Sequence, residues 1–325
     1  PQAPRLIADF NGWEWGEHTL LAETAQADVW TYTITLPEDA YLEYAFLIDG
    51  ERALDPFNPR RIWNGISADN NFMAMPGFEP NRWKRRRPRT PRGTTTRHVV
   101  DTFGMLAGKQ RTVTLYQPPT DTPSPLLVVY DGRDYLRRAF IIPIIENLIA
   151  QGRIAPIALA LVDNSKQARM LEYMAADATL FFITNGVLPL ARQQLHLIDI
   201  EAQPGAYGVL GASMGGLMAL HTGLALPQIF GKVISQSGAF EFRFDGHELP
   251  IFAQVRALAG LPLRIWQDVG TLEWLLGSNR AMHAALTESG WDHQYVEFHA
   301  GHNYTAWSNS LPDALQWAFG APPTR

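Results

Sequence analysis

The stretch Ala206-Tyr207-Gly208-Val209-Leu210-Gly211-Ala212-Ser213-Met214-Gly215-Gly216-Leu217-Met218-Ala219-Leu220 decides how this chain is read. Residues 206–210 are an apolar run that fits a buried strand, and 214–226 read as a helix with small residues at its start. Between them lies Gly-x-Ser-x-Gly. The turn from strand to helix is too tight for side chains at the glycine positions, and Ser213 must take a strained backbone conformation. Its Oγ then projects at the carboxyl edge of a sheet, where the following helix aims its first N–H groups. A glycine-rich turn with an incidental serine fits the bare pattern. The strand before it, the helix after it and suitable partners downstream favour a catalytic serine.

Working outward, strands and helices alternate. Residues 126–130, 157–162, 232–236, 263–267 and 294–299 read as strands, and 139–151, 179–195, 278–289 and 311–319 as helices. That alternation predicts a parallel sheet with helices on both faces. A serine hydroxyl needs a base, and in this chain order the acid and the His follow the serine. His302 falls between the last strand and the last helix, where such a base belongs. His299 ends a strand, His221 and His283 fall within helices, and His293 sits in a polar turn. The acid belongs on the loop after 263–267, and both Asp268 and Glu273 qualify by position. Two N–H donors should hold an oxyanion: Met214, after the nucleophile, and Arg133, in the strand-end turn Tyr130-Asp131-Gly132-Arg133-Asp134.

The first 80 residues read as β. Residues 29–36 and 41–48 predict strands, the second followed by Asp49-Gly50, a hairpin signal. A small sandwich is the simplest packing for such strands. Residues 81–98 hold eight Lys/Arg and no acid, so a net charge of −5 leaves −13 for the remainder. With its prolines and threonines this stretch reads as a basic linker, and 99–325 as the second domain. A patch for nucleic acid or membrane is the competing reading of Arg85-Arg86-Arg87. One short cluster in an acidic protein favours a solvated linker, so neither nucleic acid nor membrane is expected as a partner.

The 325 residues contain no cysteine and are 46% apolar. Disulfides, thiolate metal sites and a cysteine nucleophile are therefore excluded. No apolar run is long enough to span a bilayer. The expectation is a cytoplasmic protein, with a processed export signal left open.

With those residues in place, the second part resembles the enterochelin-esterase-like hydrolases. These belong to a wider esterase family that also includes feruloyl esterases and mycolyltransferases. The resemblance rests on Leu127-Val128-Val129-Tyr130-Asp131-Gly132, Arg169-Met170-Leu171-Glu172-Tyr173, Gly211 to Gly216 and Ile234-Ser235-Gln236-Ser237-Gly238. It rests equally on Gly270-Thr271-Leu272-Glu273 with Asn279-Arg280, and on Gly301-His302-Asn303-Tyr304-Thr305-Ala306-Trp307. It implies an α/β-hydrolase fold, the nucleophile at Ser213, the base at His302 and the acid at Glu273 rather than Asp268, though members vary at the acid. It implies ester hydrolysis of a small-molecule substrate with no metal or organic cofactor. Arg137, Trp63 and Tyr304 are the candidates for substrate contact, with Arg133 and Arg138 as further cations for an anionic ligand. Such proteins often carry an acidic residue near a Leu-Pro before the elbow. Here the segment is Thr184-Asn185-Gly186-Val187-Leu188-Pro189.

The first part resembles the glycogen-binding type of immunoglobulin-like module, through Asp9-Phe10-Asn11-Gly12-Trp13, Val29-Trp30, Glu43 to Gly50 and Asp55-Pro56-Phe57-Asn58. Trp13 and Trp30 are expected in its core, and Trp63, in a polar loop, is the better ligand contact. Three functions are set against each other. The first is a siderophore esterase cleaving a catecholate trilactone. The second is a carbohydrate-associated esterase for feruloyl or acetyl esters. The third is a non-catalytic binding protein on a hydrolase fold.

Overall fold

The computed structural model describes residues 4–13, 19–26, 29–65, 68–244 and 246–320. In the N-terminal part, an antiparallel sheet orders Thr19–Leu20, Arg5–Ala8, Tyr41–Ile48, Asp69–Ala74 and Arg61–Trp63, with Glu51–Ala53 also paired to Tyr41–Ile48. The hairpin after Tyr41–Ile48 turns where expected: Asp49 and Gly50 both take positive φ, 50° and 83°. Strand Tyr41–Ile48 is buried on both faces over its first half. Leu42 and Tyr44 join Leu6, Ala8 and Leu21 in the sheet's own core. Tyr41, on the opposite face, packs with Ala300 and Ala306 of the second half. Of 29–36, only Trp30–Thr31 pairs, with Ala22–Glu23. The rest is half-exposed or exposed, and β-branched residues make a strand only where a partner and a buried face exist.

The basic stretch is not a free linker. Asn81 caps a short 3₁₀ turn, Arg82–Lys84, by accepting from Trp83 N, and its side chain also donates to Ser308 O. Trp83 is buried against the helix Ile141–Ala150, whose Asn147 donates to Trp83 O at 2.7 Å and Arg85 O at 2.9 Å. Residues 94–98, read as the end of the linker, already belong to the first strand of the second sheet. That strand lies at the sheet's edge and is largely exposed, so no apolar pattern marks it.

The second sheet has eight strands: β1 Thr94–Asp101, β2 Gln110–Gln117, β3 Leu126–Tyr130, β4 Ala158–Val162, β5 Tyr207–Ala212, β6 Phe230–Gln236, β7 Arg264–Gly270 and β8 Asp292–Phe298. Their order is β1-β2-β4-β3-β5-β6-β7-β8. The β1–β2 and β2–β4 pairs are antiparallel and all others parallel. Every residue of β3, β4 and β5 is buried, as expected for parallel strands covered on both faces. One core lies under Met214–Ala225 and Leu276–Glu288, the other under Ile141–Ala150 and Tyr304–Phe319. This is the α/β-hydrolase architecture.

The expected single helix over 179–195 is interrupted. Asp177–Phe182 and Leu188–Gln194 are α-helical, and a π-turn, Ile183–Val187, joins them. Gly186 packs within the turn where a Cβ would come 2.9 Å from Val100 of β1. The segment that departs from the family's pattern is therefore also locally irregular. No helix among the described residues is long and apolar enough to cross a membrane.

Candidate active site

Four parallel strands end at one edge: β5 at Ala212, β6 at Gln236, β7 at Gly270 and β8 at Phe298. Ser213 follows β5 with φ 59° and ψ −125°, a conformation that a non-glycine residue adopts only when its surroundings impose it. Its N–H donates to Gln236 O at 2.9 Å, and its carbonyl accepts from Gly216, Leu217 and Ala239 N–H at 2.9–3.1 Å. A Cβ at Gly211 would overlap the Gly215 carbonyl, which is why the chain can close this turn only with glycine there. Met214 opens the next helix, whose first N–H groups have no carbonyl one turn back to bond.

His302 lies on the loop after β8. Its Nδ1 is 2.5 Å from Glu273 Oε2. Glu273 is buried, and its Oε1 accepts from Gly270 N at 2.7 Å and Ser237 Oγ at 2.6 Å. Ser237 Oγ in turn accepts from Trp307 Nε1 at 2.8 Å. Two indoles flank the imidazole, Trp274 at 4.6 Å and Trp307 at 4.8 Å between ring centroids. The other candidate acid, Asp268, is committed elsewhere. It is fully buried, and its Oδ2 accepts from Trp266 Nε1, Ser310 Oγ and Gln236 Nε2 at 2.8–3.2 Å. Burial pushes its pKa up to about 6, against the hydrogen bonds that favour ionisation.

The turn after β3 faces the same edge. Asp131 takes the left-handed conformation, φ 54°, and Gly132–Asp134 form one helical turn. A Cβ on Gly132 would run into the backbone of β4. The buried Asp131 carboxylate receives Arg169 Nε at 2.8 Å and Nη2 at 2.6 Å, and Asn164 Nδ2 at 2.5 Å. Arg169 Nη2 also donates to Ala212 O at 3.3 Å, the carbonyl before Ser213. Arg169 thus ties this turn to the elbow, a connection that sequence reading missed. Its signal was a basic residue within a family-matching stretch, with no local pattern to name its partner. The backbone N–H of Arg133 faces the Asp163 carboxylate, which burial pushes up and which the Arg133 side chain and Arg97 hold down.

Residues 105–318 match the Putative esterase family. The chain belongs to that family. It is 27% identical over 282 residues to an iron(III) enterobactin esterase from Dickeya dadantii, covering 81% of this chain and 64% of that protein. It is 24% identical to an iron(III) salmochelin esterase from Escherichia coli O6:H1, covering 92% and 80%. In fold it is similar to the ferric enterobactin esterase of Salmonella typhimurium, with TM-score 0.81 and 22% identity over 98% of this chain and 88% of that one. A ferulic acid esterase matches 71% of this chain and 98% of its own, with TM-score 0.60 and 16% identity.

The substrate-side candidates of this esterase-family chain are distributed differently from expectation. Arg137 is exposed on the π-turn Tyr135–Ala139. Its neighbour Arg138 joins both halves: Nη2 donates to Asn64 O at 2.8 Å, Nη1 lies 3.6 Å from Asp134 Oδ1, and the guanidinium stacks 4.3 Å from the Tyr304 ring centroid. Tyr304 is buried, edge-on to Tyr135 and Trp307. Trp63, just before Asn64, is about half exposed at 51%. Trp13 and Trp30 are partly buried, and Trp30 packs on the N-terminal core. No group of three or more metal-ligating side chains occurs among the described residues.

Proposed function

We propose that the chain is a serine esterase acting through Ser213, His302 and Glu273. The observation that carries this reading is the His302–Glu273 pair at the sheet edge where strained Ser213 also stands. With Nδ1 committed to Glu273, Nε2 is the nitrogen available for proton transfer. It takes the Ser213 proton as Oγ attacks the ester carbonyl. The oxyanion is held by the Met214 N–H and by that of Arg133, which exchanges Asp163 for the reacting oxygen. Loss of one such donor costs about 3 kcal/mol in the transition state. His302 then protonates the leaving alcohol, and the acyl group leaves Ser213 after attack by water that His302 deprotonates.

The substrate we assign is a catecholate siderophore ester, free or iron-loaded. The names of the Dickeya and Escherichia coli relatives support it. So do the exposed indoles of Trp63 and Trp274, suited to aromatic rings, and the exposed Arg137, suited to an anionic ligand. We read the N-terminal sheet as the immunoglobulin-like module of this arrangement. A panel of ferric and apo enterobactin, methyl ferulate, acetylated xylan and p-nitrophenyl esters tests the assignment. Preference for the catecholate lactones is expected; preference for methyl ferulate or acetylated xylan makes the chain a carbohydrate-associated esterase. Ser213→Ala should abolish hydrolysis of every ester while the melting temperature stays near wild type. Retained turnover sinks the mechanism.

A further inference from the structure

Asp9 belongs to the N-terminal half, yet it lies against the loop that carries His302. It follows strand Arg5–Ala8 and is 1% exposed. Its Oδ2 accepts from Glu43 N at 2.8 Å and from Asn303 Nδ2 at 3.2 Å, and its Oδ1 accepts from Trp13 Nε1 at 3.3 Å. On the other side of His302, Gly301 packs so closely that a Cβ there would overlap Asp9 Cγ. Both chain neighbours of His302 therefore rest on one carboxylate. Asn303 also caps the helix Tyr304–Phe319, its Oδ1 accepting from Ala306 N at 3.0 Å. The loop has a second attachment just upstream, where Tyr41 N donates to His299 O at 2.9 Å and Tyr41 bridges to Ala300.

A carboxylate withdrawn from water is costly even when hydrogen-bonded, and it seldom improves stability over an apolar packing. Here the burial raises the Asp9 pKa well above the ordinary range, and Glu43 and Glu273 facing it raise it further. Glu43 is itself faced by Arg138 and Asn70. What Asp9 supplies that an apolar side chain cannot is acceptors directed at Asn303 and the Glu43 backbone.

We propose that Asp9 is a positioning residue for His302, through which the N-terminal sheet fixes the loop Gly301-His302-Asn303 relative to Ser213. The proposal rests on the assignment of Ser213 and His302 as nucleophile and base. Asp9→Asn keeps the shape but sets an amide N–H₂ against existing donors. Trp13→Phe removes one donor to Asp9 while keeping an aromatic ring beside Arg52, also in the N-terminal half. Both are compared with wild type and Ser213→Ala in the full chain. The readouts are kcat and KM for p-nitrophenyl butyrate, the labelling rate of Ser213 by a fluorophosphonate, and the melting temperature. A displaced base costs on the order of 100-fold, so Asp9→Asn should lower kcat and the labelling rate together by about 10- to 100-fold. KM should stay within about threefold. Trp13→Phe should lower kcat by about two- to fivefold in a fully folded protein. A folded Asp9→Asn with wild-type kcat overturns the proposal, as does one that raises KM and leaves kcat alone. If Asp9→Asn does not fold, unchanged kcat and labelling in Trp13→Phe overturns it. Turnover by Ser213→Ala is a different result, which removes the nucleophile assignment beneath it.

Discussion

Asp268 lies within β7 and Glu273 three residues past its end, and their surroundings give them different work. Asp268 accepts hydrogen bonds from Trp266, Gln236 and Ser310 and so braces β7 against β6 and the helix Tyr304–Phe319. Glu273 spends one oxygen on Gly270 N and Ser237 and keeps the other for His302. Glu273→Gln should therefore lower kcat by about 10²- to 10⁴-fold, because an amide facing Nδ1 leaves the imidazole in the wrong tautomer. Asp268→Asn should leave kcat within about threefold, since its contacts are structural. Steady-state kinetics of the two variants on one ester separates these roles, and equal losses would refute the assignment. Position along the chain left the two acids tied, because the sequence reading ends the strand at 267, whereas β7 runs to Gly270 and takes Asp268 into the sheet. The family resemblance favours Glu273, three residues after Gly270, and the direction of each carboxylate supports that choice.

At the level of elements, the parts legible in the sequence are those buried on both sides. Strands β3 to β5 are continuous apolar runs, and the elbow announces itself through Gly211 and Gly215. The harder parts each have a physical reason. Strand β1 is an exposed edge whose threonines and Arg97 resemble a linker. The π-turn Ile183–Val187 contains Asn185-Gly186 and runs into Pro189, breaker signals that the reading of one continuous helix passed over, and Gly186 packs there against Val100 of β1. Trp83 reads as one aromatic in a basic run, and its burial comes from an apolar cluster built by helix Ile141–Ala150 and other elements far along the chain. Arg169 needs the whole sheet to bring it to Asp131 and Ala212. The elbow itself allows a sharp prediction. Gly211→Ala forces a methyl group into the Gly215 carbonyl, and should cost about 3 kcal/mol of folding stability. Urea unfolding measures it, and a cost under 1 kcal/mol would show that the turn opens freely.

On the scale of the molecule, carboxyls raised by burial set how stability responds to pH, Asp134, Glu146, Asp163 and Glu241 among them. Burial raises Asp9 and pushes Glu43 up to about 7 and Asp268 up to about 6, from ordinary values near 4. The folded chain thus keeps protons that the unfolded chain has already released. For Glu43 and Asp268 that contribution is complete below the ordinary carboxyl range and is lost as pH rises through 6 and 7. Two ion pairs act in the opposite sense, Asp39 with His299 and Glu297 with Arg280, but they are largely exposed and screened. The urea midpoint should therefore fall between pH 5 and pH 8. Glu43→Gln, which cannot ionise, should show a smaller fall. Identical falls in the two proteins would show that Glu43 holds no proton at pH 5.

The docking of Trp83 also governs how the molecule responds to being cut. Residues 85–89 are exposed and rich in arginine, so trypsin should nick the Arg85–Arg86 and Arg86–Arg87 bonds first, while Pro88 shields the bond after Arg87. The severed N-terminal piece would keep Trp83 in its pocket, Asn81 on Ser308, Tyr41 on His299 and Asp9 on Asn303. Gel filtration of the nicked protein should return both fragments in a single peak. The peptide connection is then dispensable once the chain has folded, and the two halves survive as a non-covalent complementation pair.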